Sequence, residues 1–330
     1  MATISLAEPL PLSERLLRPW NAFWFAPRDA ATLSVMRIAV GAVALYWEAS
    51  YTLDLMRFFG PDGFFPLVDV QLARGSTFPR SYFELASDRT VIWAMHGAGL
   101  VVLALFTAGL FTRITSVAAL FVVLSYIHRA PAVASQAEPI LAMLLLYLCL
   151  GPCGARYSID RILQRRRAAA KPGASVASNE PGPSWTATVS TRLIQVHLAM
   201  AYAAMALAKL NDGFPLVDGE GTYHAWWMGE AAWWLAARPY SPLLDVTGGL
   251  TNNVLLVNAW THAIVLFEAG FAIFIWRPAF RRCLLWVAVP MWLSLAVITG
   301  LAPFCLLMLV GNLAFVAPEA MQRRFGASAG

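Results

Sequence analysis

Eight long apolar stretches restrict this chain more than any other feature. They run at about 31–55, 91–111, 114–126, 138–152, 189–210, 253–276, 282–299 and 301–316. All but the short third are near the roughly 20 residues that carry a helix across a bilayer core. In lipid every backbone polar group must be satisfied within the chain, so such stretches form helices. Composition agrees: the 330 residues are 59% hydrophobic and 13% charged, where a soluble domain carries about a quarter charged residues. The expectation is an all-α fold, a polytopic integral membrane bundle of about eight transmembrane helices.

The net charge of +5 does not point to nucleic acid, because the basic residues stand beside apolar runs and act as topology signals. Arg15, Arg18 and Arg28 precede the first stretch, and Arg113 separates the second from the third. Arg156, Arg161, Arg165, Arg166, Arg167 and Lys171 follow the fourth. Arg277, Arg281 and Arg282 separate the sixth from the seventh, and Arg323 and Arg324 follow the eighth. With eight spans all of these fall on one side. The positive-inside rule makes that side cytoplasmic, with both termini inside.

Three further segments have readable roles. Residues 1–29 lack the pattern of a cleaved signal peptide, and LSERLLRPWNAFWFAPR, residues 12–28, reads as an amphipathic helix in the interface. Residues 168–184, rich in small residues and proline, read as a disordered cytoplasmic linker within a 30–318 transmembrane domain, and 319–330 as a cytoplasmic tail. YHAWWMGEAAWWL, residues 223–235, sets Trp226 seven before Trp233 and Trp227 seven before Trp234. That spacing predicts one aromatic helix lying as a lid on the outer leaflet. The loop from Phe58 to Leu67 pairs a Pro-Asp-Gly turn with aromatics on both sides. Cys149, Cys153, Cys283 and Cys305 are too few and too scattered for a disulfide framework or a metal site.

Ionisable residues inside spans are costly and face a bundle interior or a cavity. Here they include Arg37 and Glu48 on the first span, His96 on the second, and His197 and Lys209 on the fifth. His262 and Glu268 follow on the sixth. His128, Arg129 and Glu138 sit at the ends of the third and fourth. Gln195, Tyr202 and Lys209 are seven apart and form one polar stripe, and Asn258 and His262 share a face. His96 and His197 read as satisfied core histidines. Glu268 needs a proton or a partner, for which Arg37 is one choice.

In the run AYAAMALAKLNDGF, Ala201 to Phe214, an apolar helix carries Lys209 to its end and stops in Asn211-Asp212-Gly213. An amine at the edge of an apolar helix is desolvated, which makes its neutral, proton-accepting form accessible. The alternative is a lysine that snorkels to headgroups. The orientation places His128, Arg129, Glu138, Lys209 and His262 in the outer half. An amine, an imidazole, a guanidinium and a carboxylate there suffice for proton transfer on an amphiphilic substrate.

Arg37, the loop GPDGFFP, SYIHRAPAVASQAEPIL followed by ARYSID, AKLNDGF, and FEAGF at Phe267 to Phe271 together resemble the HTTM domain. This is the bacterial transmembrane family related to vitamin K-dependent gamma-carboxylase, and the resemblance covers residues 30 to 318. It implies a bundle whose site opens to the non-cytoplasmic side of a bacterial inner membrane. It also implies a reduced quinone as cofactor and Lys209 as base; His128, Arg129, Glu138, Tyr202, His262 and Glu268 are expected around the substrate from their places in the spans. The partners implied are membrane lipid, a hydrophobic small molecule or peptide substrate, and a redox partner protein. No metal is implied. Two family histidines fall at Glu138 and near Pro290, and the family's large soluble domain has no counterpart in this sequence. A quinol-dependent carboxylase- or epoxidase-like step is one implied activity. A transporter or an accessory subunit for peptide maturation is the other class.

Overall fold

The computed structural model describes residues 12–86, 88–170, 180–215, 222–237 and 252–326. Most of the segment read as a linker, residues 171–179, lies outside them. Among the described residues the regular structure is helical apart from one two-residue ladder, β1 (Phe214–Pro215) against β2 (Thr222–Tyr223), and an isolated bridge between Arg28 and Ser184. The helices are α1 Leu12–Phe25, α2 Ala31–Ser50, α3 Leu55–Phe59, α4 Leu67–Arg74, α5 Arg89–Ala108, α6 Thr112–Arg129, α7 Ala137–Leu150 and α8 Ile159–Ala169. They continue as α9 Trp185–Leu210, α10 Ala225–Met228, α11 Ala231–Ala236, α12 Val254–Phe274, α13 Pro278–Thr299, α14 Ala302–Asn312 and α15 Pro318–Gly326.

A helix stands at each of the eight apolar stretches, but their lengths differ. Five helical segments are long and apolar enough to cross a membrane: Ala31–Phe59, Arg89–Ala108, Trp185–Leu210, Val254–Phe274 and Pro278–Thr299. A sixth exists if α14 and α15, bent by 108° at their junction, count as one. Helix α7 has 14 residues, about 21 Å, which is short of a core about 30 Å thick. Helix α6 has 18 residues but breaks its apolar run with threonines, serines, His128 and Arg129. Only 22% of the most apolar window of Pro278–Thr299 is buried, so most of that greasy surface faces outward. The chain is therefore consistent with an integral membrane protein.

Local chemistry sets the helix ends. The side chains of Asp88, Ser184 and Asn253 accept hydrogen bonds from first-turn amides of α5, α9 and α12. Gly109 and Gly300 close α5 and α13 in the left-handed conformation, at φ 77° and 70°. At Gly109 a Cβ would also meet the Arg37 guanidinium.

Two buried clusters hold the bundle. One joins α2, α5, α6 and α7 through residues such as Leu33, Phe106, Val123 and Leu144. The other joins α9, α12, α13 and α14 around Tyr202, which stacks on Phe271 at 4.0 Å. Polar groups on the stripe of α9 knit that second group. The Tyr202 hydroxyl receives hydrogen bonds from Trp292 Nε1 (2.7 Å) and Asn312 Nδ2 (3.0 Å), while Gln195 Nε2 donates to the Ala314 carbonyl. The start of α2 meets the end of the α14 segment, where Thr32 donates to the Val316 carbonyl. Both ends of the described chain thus lie at the arginine-rich end, opposite Lys209.

The aromatic lid departs from its expected form. Instead of one helix over 223–235, α10 and α11 are separated by Gly229 at φ 79°. A left-handed residue ends the helix, so the two tryptophan pairs do not form a single stripe. A Cβ at Gly229 would collide with Asn258 and His262 of α12, which hold the turn in place.

Candidate functional site

Lys209 and Glu268 form a bidentate ion pair across α9 and α12. Nζ lies 2.8 Å from each carboxylate oxygen. The Glu268 side chain is 3% exposed and that of Lys209 18%. The partner of Glu268 is therefore Lys209 and not Arg37. Arg37 is fully buried at the opposite end of the bundle, donating to the carbonyls of Cys153 (3.2 Å) and Tyr157 (2.6 Å). It does not meet Glu48, which lies near the far end of α2.

The pair faces a cavity of about 370 Å³, within the size range of small-molecule sites. Its walls are largely apolar: Met205, Trp226, Leu235, Ile264, Trp292 and Phe304 among them. Gln136, Asp212 and Thr299 add polar groups at the edges. The Trp226 ring lies over Lys209, with Nζ 5.1 Å from its centroid, close enough for a cation–π contact. Trp227 Nε1 donates to the Leu210 carbonyl at 2.8 Å, and His224 Nδ1 bonds the Asp212 carbonyl. These contacts fasten the lid helices to the end of α9, just above the ion pair.

The other expected site residues divide into separate groups. Tyr202 lies one layer below the cavity, buried in its own hydrogen-bond network. His262 Nδ1 bonds the Asn258 carbonyl at 2.9 Å, and Asn258 Nδ2 donates to the Met228 carbonyl. This part of α12 supports the lid turn and is not among the cavity-lining residues. Arg129, 2% exposed, donates to the carbonyls of Phe65 (2.8 Å) and Gly60 (3.1 Å). It anchors the GPDGFFP loop, with half-buried His128 beside it. The arginine and carboxylate expected around Lys209 are thus occupied elsewhere.

Glu138 belongs to a second buried centre. Its Oε2 accepts from the Ser135 amide (2.7 Å) and hydroxyl (2.6 Å) at the start of α7. Glu48 of α2, 1% exposed, lies close enough to interact with it electrostatically. Both line a cavity of about 10 Å³ together with Trp47, Tyr51 and Tyr126. Among the described residues, Glu48 Oε2 and Trp47 Nε1 have no hydrogen-bond partner. Nearby, His96 bridges Tyr126 (2.6 Å) and Thr52 (2.9 Å) and is 2% exposed. His197, by contrast, is exposed and bonds the Tyr147 hydroxyl. No cluster of three or more metal-ligating side chains occurs among the described residues.

The lining tryptophans and Gln136 were not legible as site residues. The signal available was the ion pair itself, since Lys209 and Glu268 are opposite charges on consecutive long spans. The turns of α12 up to His262 carry α10 and α11, which brings Glu268 level with the end of α9. No protein-family model, curated protein or solved structure matches the chain.

Proposed function

We propose that this is an integral membrane enzyme that abstracts a proton from a hydrophobic, quinol-type substrate in the Lys209 cavity. The observation that carries this reading is the ion pair of Lys209 and Glu268, set in an aromatic cavity at one end of the bundle. The chemistry of the lining suits a reduced quinone: Trp226 and Trp292 offer faces to a flat ring, and the pair offers donors and acceptors to ring hydroxyls. Bound there, such a cofactor supplies an acidic hydroxyl and, with oxygen, oxidising equivalents.

The protein's part is proton handling. Over 2.8 Å, Lys209 Nζ passes one proton to Glu268, and the resulting amine takes another from a hydroxyl positioned beside it. The pair ends with one proton more than it began with. That extra proton must leave through the partly exposed Lys209 side chain before the amine can form again, and Trp226 of the lid covers Nζ on one side.

The proposal includes the resemblance to the HTTM family, eight spans with α1 and the lid in the two interfaces, and the cavity on the non-cytoplasmic side of a bacterial inner membrane. A transporter is the second reading. The polar stripe from Gln195 through Tyr202 to Lys209 supports it, because it crosses most of the bundle.

The test is purified protein with reduced menaquinone or vitamin K, oxygen and carbonate. Quinone epoxide formed by wild type and abolished by Lys209→Ala is the expected result. Absence of both turnover and quinone binding would overturn the proposal.

A further inference from the structure

At the opposite end of α9 from the cavity, three arginines converge with no counter-ion among the described residues. Arg192 projects from α9, Arg281 from α13, and Arg28 stands in the link between α1 and α2. Each is half-buried. Arg192 is close enough to feel the charges of both others, and Arg281 feels that of Arg28.

Neutral groups hold the cluster together. Arg192 donates to the Phe23 carbonyl (3.0 Å) and to Gln195 Oε1 (2.8 Å), and its guanidinium lies 4.2 Å from the Phe23 ring centroid. Phe23 in turn lies 6.0 Å from Trp276, whose carbonyl, with that of Ile275, accepts from Arg281. Arg28 is fixed through its backbone, paired with Ser184. Among the described residues none of the three has a carboxylate partner. Asp29, the nearest acid in sequence, is already bonded to Arg156 at 2.7 Å.

Partly desolvating three like charges side by side is unfavourable unless an anion joins them. Arginine is also the side chain best matched to phosphate, through its forked donors. The surroundings identify the source of that phosphate. Phe274 and Phe280, on the turn that carries Arg281, are 45% and 53% exposed. Trp20 and Trp185, at 59% and 56% exposed, are residues favoured at the membrane–water boundary. A free phosphate ion has no use for such a surface, whereas acyl chains do.

We infer that Arg28, Arg192 and Arg281 form a binding site for the headgroup of an acidic phospholipid, seated where α1 crosses α9 and the α12–α13 turn. The site lies 17 residues along α9 from Lys209, about 26 Å, and is independent of the chemistry proposed for the cavity.

The test is native mass spectrometry of the full chain titrated with phosphatidylglycerol, with phosphatidylcholine as the neutral comparison and inorganic phosphate as competitor. One phosphatidylglycerol bound in preference to phosphatidylcholine is the expected result. Arg192→Gln and Arg281→Gln should each weaken it about fivefold, and Arg192→Lys, which keeps the charge without the forked donors, should weaken it less. Arg282→Gln, which removes an equal charge from an exposed neighbour, should leave it unchanged. Equal losses at Arg282 and Arg192 would overturn the site in favour of diffuse surface charge. Full displacement by inorganic phosphate would overturn the lipid assignment. Should Arg192→Gln not fold, Arg281→Gln provides the same reading.

Discussion

Two buried centres of ionisable groups, Lys209 with Glu268 and Glu48 with Glu138, differ in both charge and space. Lys209 and Glu268 are opposite charges on a cavity of about 370 Å³. Glu48 and Glu138 are two carboxyl groups with no cation between them, on one of about 10 Å³, near the lower limit for a single water. Glu48 and the Glu268 side chain are almost equally buried, at 1% and 3% exposed. Burial therefore does not separate a site from a structural feature. A centre with compensated charge and room beside it can take a substrate, while one closed around its own groups can only affect stability.

The largest test of this contrast removes one half of the compensated pair. Lys209→Ala should cost about 3 to 5 kcal/mol, because it leaves Glu268 buried without its cation. The double change Lys209→Met with Glu268→Leu should recover most of that loss. Thermal unfolding in detergent reads both, and a double variant no more stable than the single would show that the pair is not what holds α9 to α12.

The same substitution at the two acids sharpens the comparison. Glu268→Gln should cost about 3 kcal/mol by leaving Lys209 unbalanced. Glu48→Gln should be neutral or stabilising by about 1 kcal/mol, since an amide there cannot ionise beside Glu138 and keeps a donor. Equal losses at both positions would erase the distinction. A smaller effect belongs to Trp226→Leu, which removes the ring over Lys209 and should cost about 0.5 to 1 kcal/mol. Its larger consequence should be weaker binding of reduced menaquinone, measured by equilibrium titration.

The sequence shows these centres unequally, for a physical reason. Hydrophobic length and helix signals are local, so the helices at all eight apolar stretches were legible, as was the α9 stripe. Pairing across helices is not local. Glu268 meets Lys209 and not Arg37 because the early turns of α12 carry the lid and lower the carboxylate to the level of the end of α9. Glu138 was expected beside Lys209, yet its neighbour is Glu48, one helix group away. Arg129 was expected beside the substrate, and its two carbonyl partners make it an anchor for a loop instead. Gly229 was the one local signal that the heptad spacing of tryptophans obscured.

The smallest effect comes from a pair at the water boundary, and it shows how much burial adds to Lys209–Glu268. Arg156 Nη2 lies 2.7 Å from Asp29, with side chains 20% and 15% exposed. Burial works against the Asp29 carboxylate, but hydrogen bonds from Arg156, Gln322 and the Ala31 amide, with the charge of Arg156, outweigh it and hold Asp29 below its usual range. A group lowered on folding contributes stability that is complete above its unfolded value, about 3.9. That contribution is lost as the pH falls through the folded value. Wild type should therefore exceed Asp29→Asn by about 0.4 kcal/mol at neutral pH, and the two stabilities should converge in acid. A gap that persists unchanged at acid pH would mean that Asp29 acts by packing and not by charge, and the ion pair at the cavity would lose its benchmark.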